Sequence, residues 1–148
     1  MTTETVIPRL QTLLGGVSGV VRAFDQLPGK LNAADLPAFV VVPQAAEFTT
    51  VARAVIQERR DYALLLYVKP LGADTFGAGH NDARPFFDRT RALFASNVRL
   101  GDLDGITQAD LVADSGVAPL VYGGREHQYV GIEFTLRVWE HYDETFGL

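Results

Sequence analysis

The sequence contains no cysteine. That absence excludes disulfides, zinc ribbons and thiol catalysis together, and it suits a reducing compartment. No apolar run approaches the ~20 residues needed to cross a bilayer, so no membrane association is expected. There is no block of Lys or Arg either. The 13 basic residues are scattered among 18 acidic ones, leaving a formal charge of −5. Nucleic-acid binders usually carry a basic footprint, and none is visible. The opening MTTETVIPRL lacks a basic stretch followed by an apolar one, so no signal peptide is expected. Internal repeats and low-complexity linkers are missing too. With 47% hydrophobic and 21% charged residues, the composition is that of a globular chain rather than a disordered one. A length of 148 residues fits a single domain spanning 1–148 that buries about 70% of its unfolded surface.

The clearest pattern present is near the end, where Gln128 to Tyr142 reads QYVGIEFTLRVWEHY. Val130, Ile132, Phe134, Leu136 and Val138 fall on alternate positions, with mostly polar or amphipathic residues between them. Side chains alternate faces along a strand, so this pattern predicts a long strand with one buried face. Thr5 to Leu14 carries Val6, Ile7, Leu10, Leu13 and Leu14 at helical spacing. Thr3 or Thr5 is available to cap it, Pro8 would fall in its first turn, and Gly15-Gly16 would stop it. Val17 to Asp25 is expected to be a short strand, Gln26 to Pro37 a surface loop, and Ala38 to Pro43 a strand covered on both faces.

Phe48 to Arg60 permits either an amphipathic helix or one arm of a long hairpin. The alternation of Ile56, Glu58, Arg60, Tyr62, Leu64, Leu66 and Val68 favours a strand from about Val55 to Lys69, ended by Pro70. Leu71 to Asn81 (LGADTFGAGHN) is expected to be a loop, and Asp82 to Ala95 a helix with Asn81 as N-cap and Pro85 in its first turn. Val98 to Gly105 should be a connector and Ile106 to Ala113 a strand. Asp114-Ser115-Gly116 should be a turn, with Val117 to Tyr122 leading through Gly123-Gly124 into the last strand. The tail after Tyr142 is expected to be mobile. The fold class is α+β, with helices packed on a mainly antiparallel sheet. Its expected core is Leu10, Leu13, Leu64, Leu66, Phe87, Phe94, Ile132, Phe134 and Leu136.

Residues that carry chemistry are thinly spread. His80, His127 and His141 share no metal-ligand spacing. GADTFGAGHND lacks the GxxxxGK[ST] form that cradles phosphate, and Ser115 is not in a nucleophile elbow. Asp82 and Asp88 are spaced too far apart to face one another as a carboxylate pair. Glu58-Arg59-Arg60-Asp61 reads as a solvated hairpin face. No catalytic, cofactor-binding or metal-binding residue is therefore expected, and the chain does not read as an enzyme. The candidate protein-interface residues are Phe76 and His80 in the loop and Tyr129, Trp139 and Tyr142 on the last strand. Large aromatics on a polar strand face either pack under a helix or meet another chain.

Taken in order, the segments VVRAFD, DLPAFVVVP, RRDYALLLYVKP, RPFFDRTRALF and DSGVAPLVYGGREHQYVGIEFTLRVWE resemble the tail terminator (tail completion) proteins of long-tailed bacteriophages. DLPAFVVVP (Asp35 to Pro43) and YVGIEFTLRVWE (Tyr129 to Glu140) carry most of the likeness. The resemblance implies a structural virion protein, made in the host bacterial cytoplasm and located in the tail. It would form a hexameric ring that caps the tail tube, ends its polymerisation and meets the head connector or stopper protein. Implied partners are copies of itself, the tail-tube protein and that connector. Genome DNA would pass through without specific binding, and the acidic balance fits such a conduit. Alternatives are another head–tail joining or tail-tube protein, or a small α+β enzyme with no readable active site.

Overall fold

Three long strands lying side by side carry the fold, and everything else is draped over them or added at their edges. The computed structural model describes residues 3–72, 76–122 and 127–143. The elements in order are α1 (Thr3–Gly15), β1 (Arg22–Phe24), a short 3-10 turn (Ala33–Asp35), β2 (Ala38–Ala52), β3 (Val55–Pro70), α2 (Phe76–Ala83), α3 (Pro85–Ser96), β4 (Ile106–Asp114), β5 (Ala118–Val121) and β6 (Gln128–Asp143). The sheet runs β1-β2-β3-β6-β4, with β5 also paired to β6. Only the β1–β2 pairing is parallel. The protein is thus a single α+β domain on a mostly antiparallel sheet.

The alternation in β6 sets the layers. Val130, Ile132, Phe134, Leu136 and Val138 are all buried, and on β3 they meet the matching set Tyr62, Leu64 and Leu66. Directly opposite residues in an antiparallel pair point the same way, so both rows build one apolar face. Against it α1 lays Val6, Leu10 and Leu14, and α3 lays Phe86, Thr90 and Phe94, each set at i, i+4, i+8. Phe134 sits centrally, its ring 6.2 Å from Phe39 and 6.3 Å from Phe87. The expected core residues are all in this cluster; Leu13 and Phe87 lie at its partly buried margin.

The opposite face of the sheet carries a smaller cluster of Leu31, Val40, Tyr67 and Tyr129, edged by Phe24, Leu36, Leu120 and Tyr122. The loop between β1 and β2 supplies Leu31 and Leu36, so the Gln26 to Pro37 segment is a cover as well as a connector.

Several expectations change. β2 does not stop at Pro43 but continues to Ala52, with a register irregularity between Pro43 and Ala46 that accommodates the proline. The helical alternative for Phe48 to Arg60 falls away, because Phe48 pairs with Glu58 and Thr50 with Ile56 across a hairpin. The strand expected over Val17 to Asp25 shrinks to Arg22–Phe24, since Val17 turns inward to the core. Helix α1 begins by Thr3, which puts Pro8 in the second turn, where it removes one interior backbone donor.

The segment expected as a loop from Leu71 to Asn81 contains α2. Asn81 lies inside that helix rather than capping the next, and α3 begins at Pro85. Gly79 explains the difference: a Cβ there would meet Val130 at 2.9 Å. The glycine lets α2 lie against β6, so it serves close packing where the sequence read as loop flexibility. Residues 73–75, the Gly123-Gly124 turn and the tail from residue 144 lie outside the described residues.

Candidate assembly surface

β2 and β3 are 15 and 16 residues long, against about 5–6 for an ordinary strand. Their inner halves, Ala38–Val41 and Tyr62–Val68, are buried in the sheet centre, but from Pro43 to Ala54 the chain is almost wholly exposed. The exposed β2 arm runs along β3, which is itself paired to β6 as far as Val55, and the hairpin closes in a two-residue turn, Arg53-Ala54, with Ala54 at φ 62°. Because β1 pairs only with Ala38, Phe39 and Val40, the outer edge of β2 beyond Val40 has no neighbouring strand among the described residues. The other side of the sheet is open too. β4 and β5 follow one another along β6, and no described strand lies outside them.

Between β4 and β5 the turn is built by local hydrogen bonds. Gly116 N donates to Asp114 Oδ1 at 2.8 Å, and Gly116 takes φ 71°. Ser115 bridges the gap in the ladder: its N–H donates to Glu133 O at 2.9 Å, and its Oγ accepts from Glu133 N at 3.0 Å. The DSG sequence is thus a turn, as its composition implies.

Each of these two edges carries exposed large apolar residues; Val21, Leu27, Phe76 and Val98 are exposed elsewhere. Phe48 (59% exposed) and Val51 (50%) lie on β2, while Val112 (43%) and Val121 (51%) lie on β4 and β5. Open edges are templates for pairing with another chain, and monomeric proteins usually blunt them with charge, proline or cover. The β4–β5 side, from Leu100 to Val121, holds four Asp and no Lys or Arg. On the other side β2 carries Glu47 as its only charged residue, Arg53 sits in the turn, and Arg59 and Arg60 belong to β3 inside the sheet.

The expected interface residues do not form one patch. Phe76 and His80 share one face of α2, their rings 6.3 Å apart, and both are exposed. Phe76 belongs to neither core cluster. Trp139 is half-buried on the face of β6 opposite the helices, beside Arg59 and Gln108. Tyr142 is half-buried next to Ile56 and, by the parity of the strand, faces the other way from Trp139. Tyr129 is buried, which removes it from the exposed surface of the chain. Its ring stacks edge-on with Tyr67 at 5.4 Å, and its hydroxyl donates to Leu31 O at 3.5 Å. The covering loop, unreadable as a lid from sequence, is what encloses it.

Tyr129 also lines a cavity of about 470 Å³ with Gly29, Lys30, Leu31, Tyr122 and His127. Burial, helped by Tyr122, pushes the hydroxyl of the adjoining Tyr67 up to about 12, and that of Tyr122 is raised for the same reason. These hydroxyls therefore keep their protons near neutral pH. Tyr67 uses its proton to donate to Val121 O at 3.4 Å, which helps hold β5.

Charged side chains on the sheet pair both across strands and with flanking elements. Arg137 donates through Nε and Nη2 to Asp61 at 2.9 and 3.2 Å, an arrangement that raises the guanidinium's hold on its proton. Arg59 meets Glu47 at 3.0 Å and Lys69 meets Asp82 at 2.7 Å. Arg9 and Arg89 instead donate to the carbonyls of Leu100 and Ser18, fastening connectors to helices. The basic residues are thus dispersed, without a stripe among the described residues.

The run Glu58-Arg59-Arg60-Asp61 is not uniformly solvated. Glu58 is 2% exposed, directly across from Glu140, which is also buried. The signal was in the sequence: Glu58 and Glu140 occupy the same alternate positions as Tyr62, Leu64, Leu136 and Val138. Parity places them on the apolar face, which their charge had argued against. Among the described residues no group of three His, Asp or Glu could hold a metal ion, and no helix is long and apolar enough to cross a membrane.

Comparison with protein-family models gives no match, and comparison with curated proteins gives none either.

Proposed function

We propose that the protein is a ring-forming subunit of a phage tail, which caps the tail tube, ends its growth and offers a surface to the head connector. The observation that carries this reading is the pair of open sheet edges, each bearing exposed apolar side chains, at opposite sides of one sheet. A subunit with two different sticky edges associates head to tail, and such contacts close into rings when the rotation allows. The order of segments that resembles tail terminator proteins supplies the identity of the ring, and the long hairpin with its open β2 edge supplies a surface for a neighbour.

The test is electron microscopy of tail tubes assembled from the tube protein of the same genome, with and without this protein. A ring-shaped density at one end of each tube, present only when the protein is added, is the expected result. Bare ends on all tubes would overturn the reading. A second reading, a small α+β enzyme, draws on the cavity lined by Lys30, Tyr122, His127 and Tyr129. It requires a ligand there, and unchanged tube capping by a Tyr122→Ala, His127→Ala variant would argue against a role for that cavity in assembly.

A further inference from the structure

Four residues lie in one row across the sheet at the level of the hairpin: Phe48 on β2, Glu58 on β3, Glu140 on β6 and Ile106 on β4. Two carboxylates thus stand side by side on the apolar face of the sheet, both almost wholly shielded from water. Two like charges in such a place cannot both remain ionised without a large cost.

Their oxygens are used unequally. Glu58 Oε1 accepts from Arg60 Nη2 at 3.0 Å, and Arg60 in turn donates through Nη1 to Gln44 O on β2 at 2.8 Å. That leaves Glu58 Oε2 and Glu140 Oε1, both buried and neither with a donor from a described side chain. The two residues are directly paired across β3 and β6, so their side chains leave the same face of the sheet side by side. One proton on Glu140, donated to Glu58, would use both of these oxygens, while Arg60 takes the remaining Glu58 oxygen.

We propose that Glu58 and Glu140 share one proton in the folded protein and form a proton-held brace across β3 and β6, which tightens the fold on acidification and loosens it when the proton leaves. Phe48 and Ile106, the neighbours in the row on β2 and β4, do not titrate. Among the described residues the charged groups acting on Glu140 are Glu58, which favours its protonation, and Arg60, which opposes it; both are on β3. Tyr62 Oη is buried close by without a partner, and burial first, then Glu140, pushes its proton affinity up, so it stays neutral throughout.

The direction of the effect follows from linkage. Burial foremost, then the charge of Glu58 and the hydrogen bond to it, push the Glu140 carboxyl up to about 7. An unfolded Glu titrates near 4.3. The folded state therefore binds the extra proton between those values. Stability contributed by the brace is fully present below about 4.3 and is lost as pH rises through about 7. Over that interval the unfolding constant rises by up to about tenfold per pH unit.

The experiment is urea unfolding of the wild type and Glu140→Gln from about pH 4 to about pH 8.5, spanning the window that linkage assigns. The glutamine amide can donate to Glu58 at every pH. The wild-type midpoint should fall as pH rises through neutrality, while the variant's stays level and lies above the wild type's at the alkaline end. Equal slopes for the two proteins, or a flat wild type, would overturn the proposal. If the variant fails to fold, carbon-13 titration of the wild-type glutamate carboxyls decides. One carboxyl titrating near neutrality upholds the brace, and all of them titrating in the ordinary acid range refutes it.

Discussion

Phe134 touches more of this structure's logic than any other side chain, because it lies where the long strands meet the helices and stacks near both Phe39 and Phe87. It is 1% exposed, so Phe134→Ala removes a full ring from a packed site. A loss of about 3–5 kcal/mol is expected in denaturant unfolding. A loss under about 1 kcal/mol would mean the ring is not in the core, since such truncations there cost several times more. Gly131 is the other position where one atom decides. A Cβ there would collide with the carbonyl of Leu66 and the side chain of Leu120, next to the irregular step where Tyr67 pairs with Gly131 and Lys69 with Val130. Gly131→Ala should cost about 1–3 kcal/mol, the usual range for overpacking, and calorimetry of the variant measures it. Neither role is visible for Gly131 in sequence, where it reads only as a small residue on the polar side of the strand. Phe134's role is visible, because period-two spacing specifies its face.

Elements differ in how plainly they announce themselves, and the reason is where their partners lie. β6 alternates over many residues, and β3 carries one period-two row into a continuous apolar run, so their extent is readable to within a residue or two. β2 beyond Pro43 is not, because it is exposed on both faces and needs no apolar pattern; its pairing to β3 holds it. α2 is equally obscure. Its sequence, FGAGHNDA, has weak helix formers, and tertiary contact through Gly79 and Ala83 overrides local preference.

Of the proposed interface residues, Phe76 and His80 share α2, Trp139 and Tyr142 point to opposite faces of β6, and Tyr129 is covered by a loop that alternation does not report. The edge residues Phe48 and Val51 gave no signal either, because exposure on an edge strand depends on which strand is missing beside it. Two expectations belong to this scale. Phe76→Ala should leave the melting temperature nearly unchanged while reducing tail attachment; a clear drop in melting temperature with normal attachment would place Phe76 in the core. Val51→Asp should stay within about 0.5 kcal/mol of wild type in unfolding, as exposed substitutions do, yet abolish ring formation in size-exclusion chromatography with tube ends present. Rings formed as readily by this variant would remove the β2 edge from the interface.

At the level of the whole molecule, charge and shape act together. Six copies at −5 each carry a formal −30, and the basic side chains are dispersed, so the free protein should not grip duplex DNA. Filter binding at low salt tests this: tight retention that weakens steeply with added salt would reveal a basic stripe and contradict a passive channel. Two open edges, a long hairpin and a core complete without them make a unit whose unspent surface is its edges. The most direct test of that account is the length of tail tubes made in cells carrying all tail genes, with and without an intact copy of this gene. The account predicts tubes of uniform length with the protein and overgrown, headless tubes without it. Tubes of the same uniform length in both cases would contradict it.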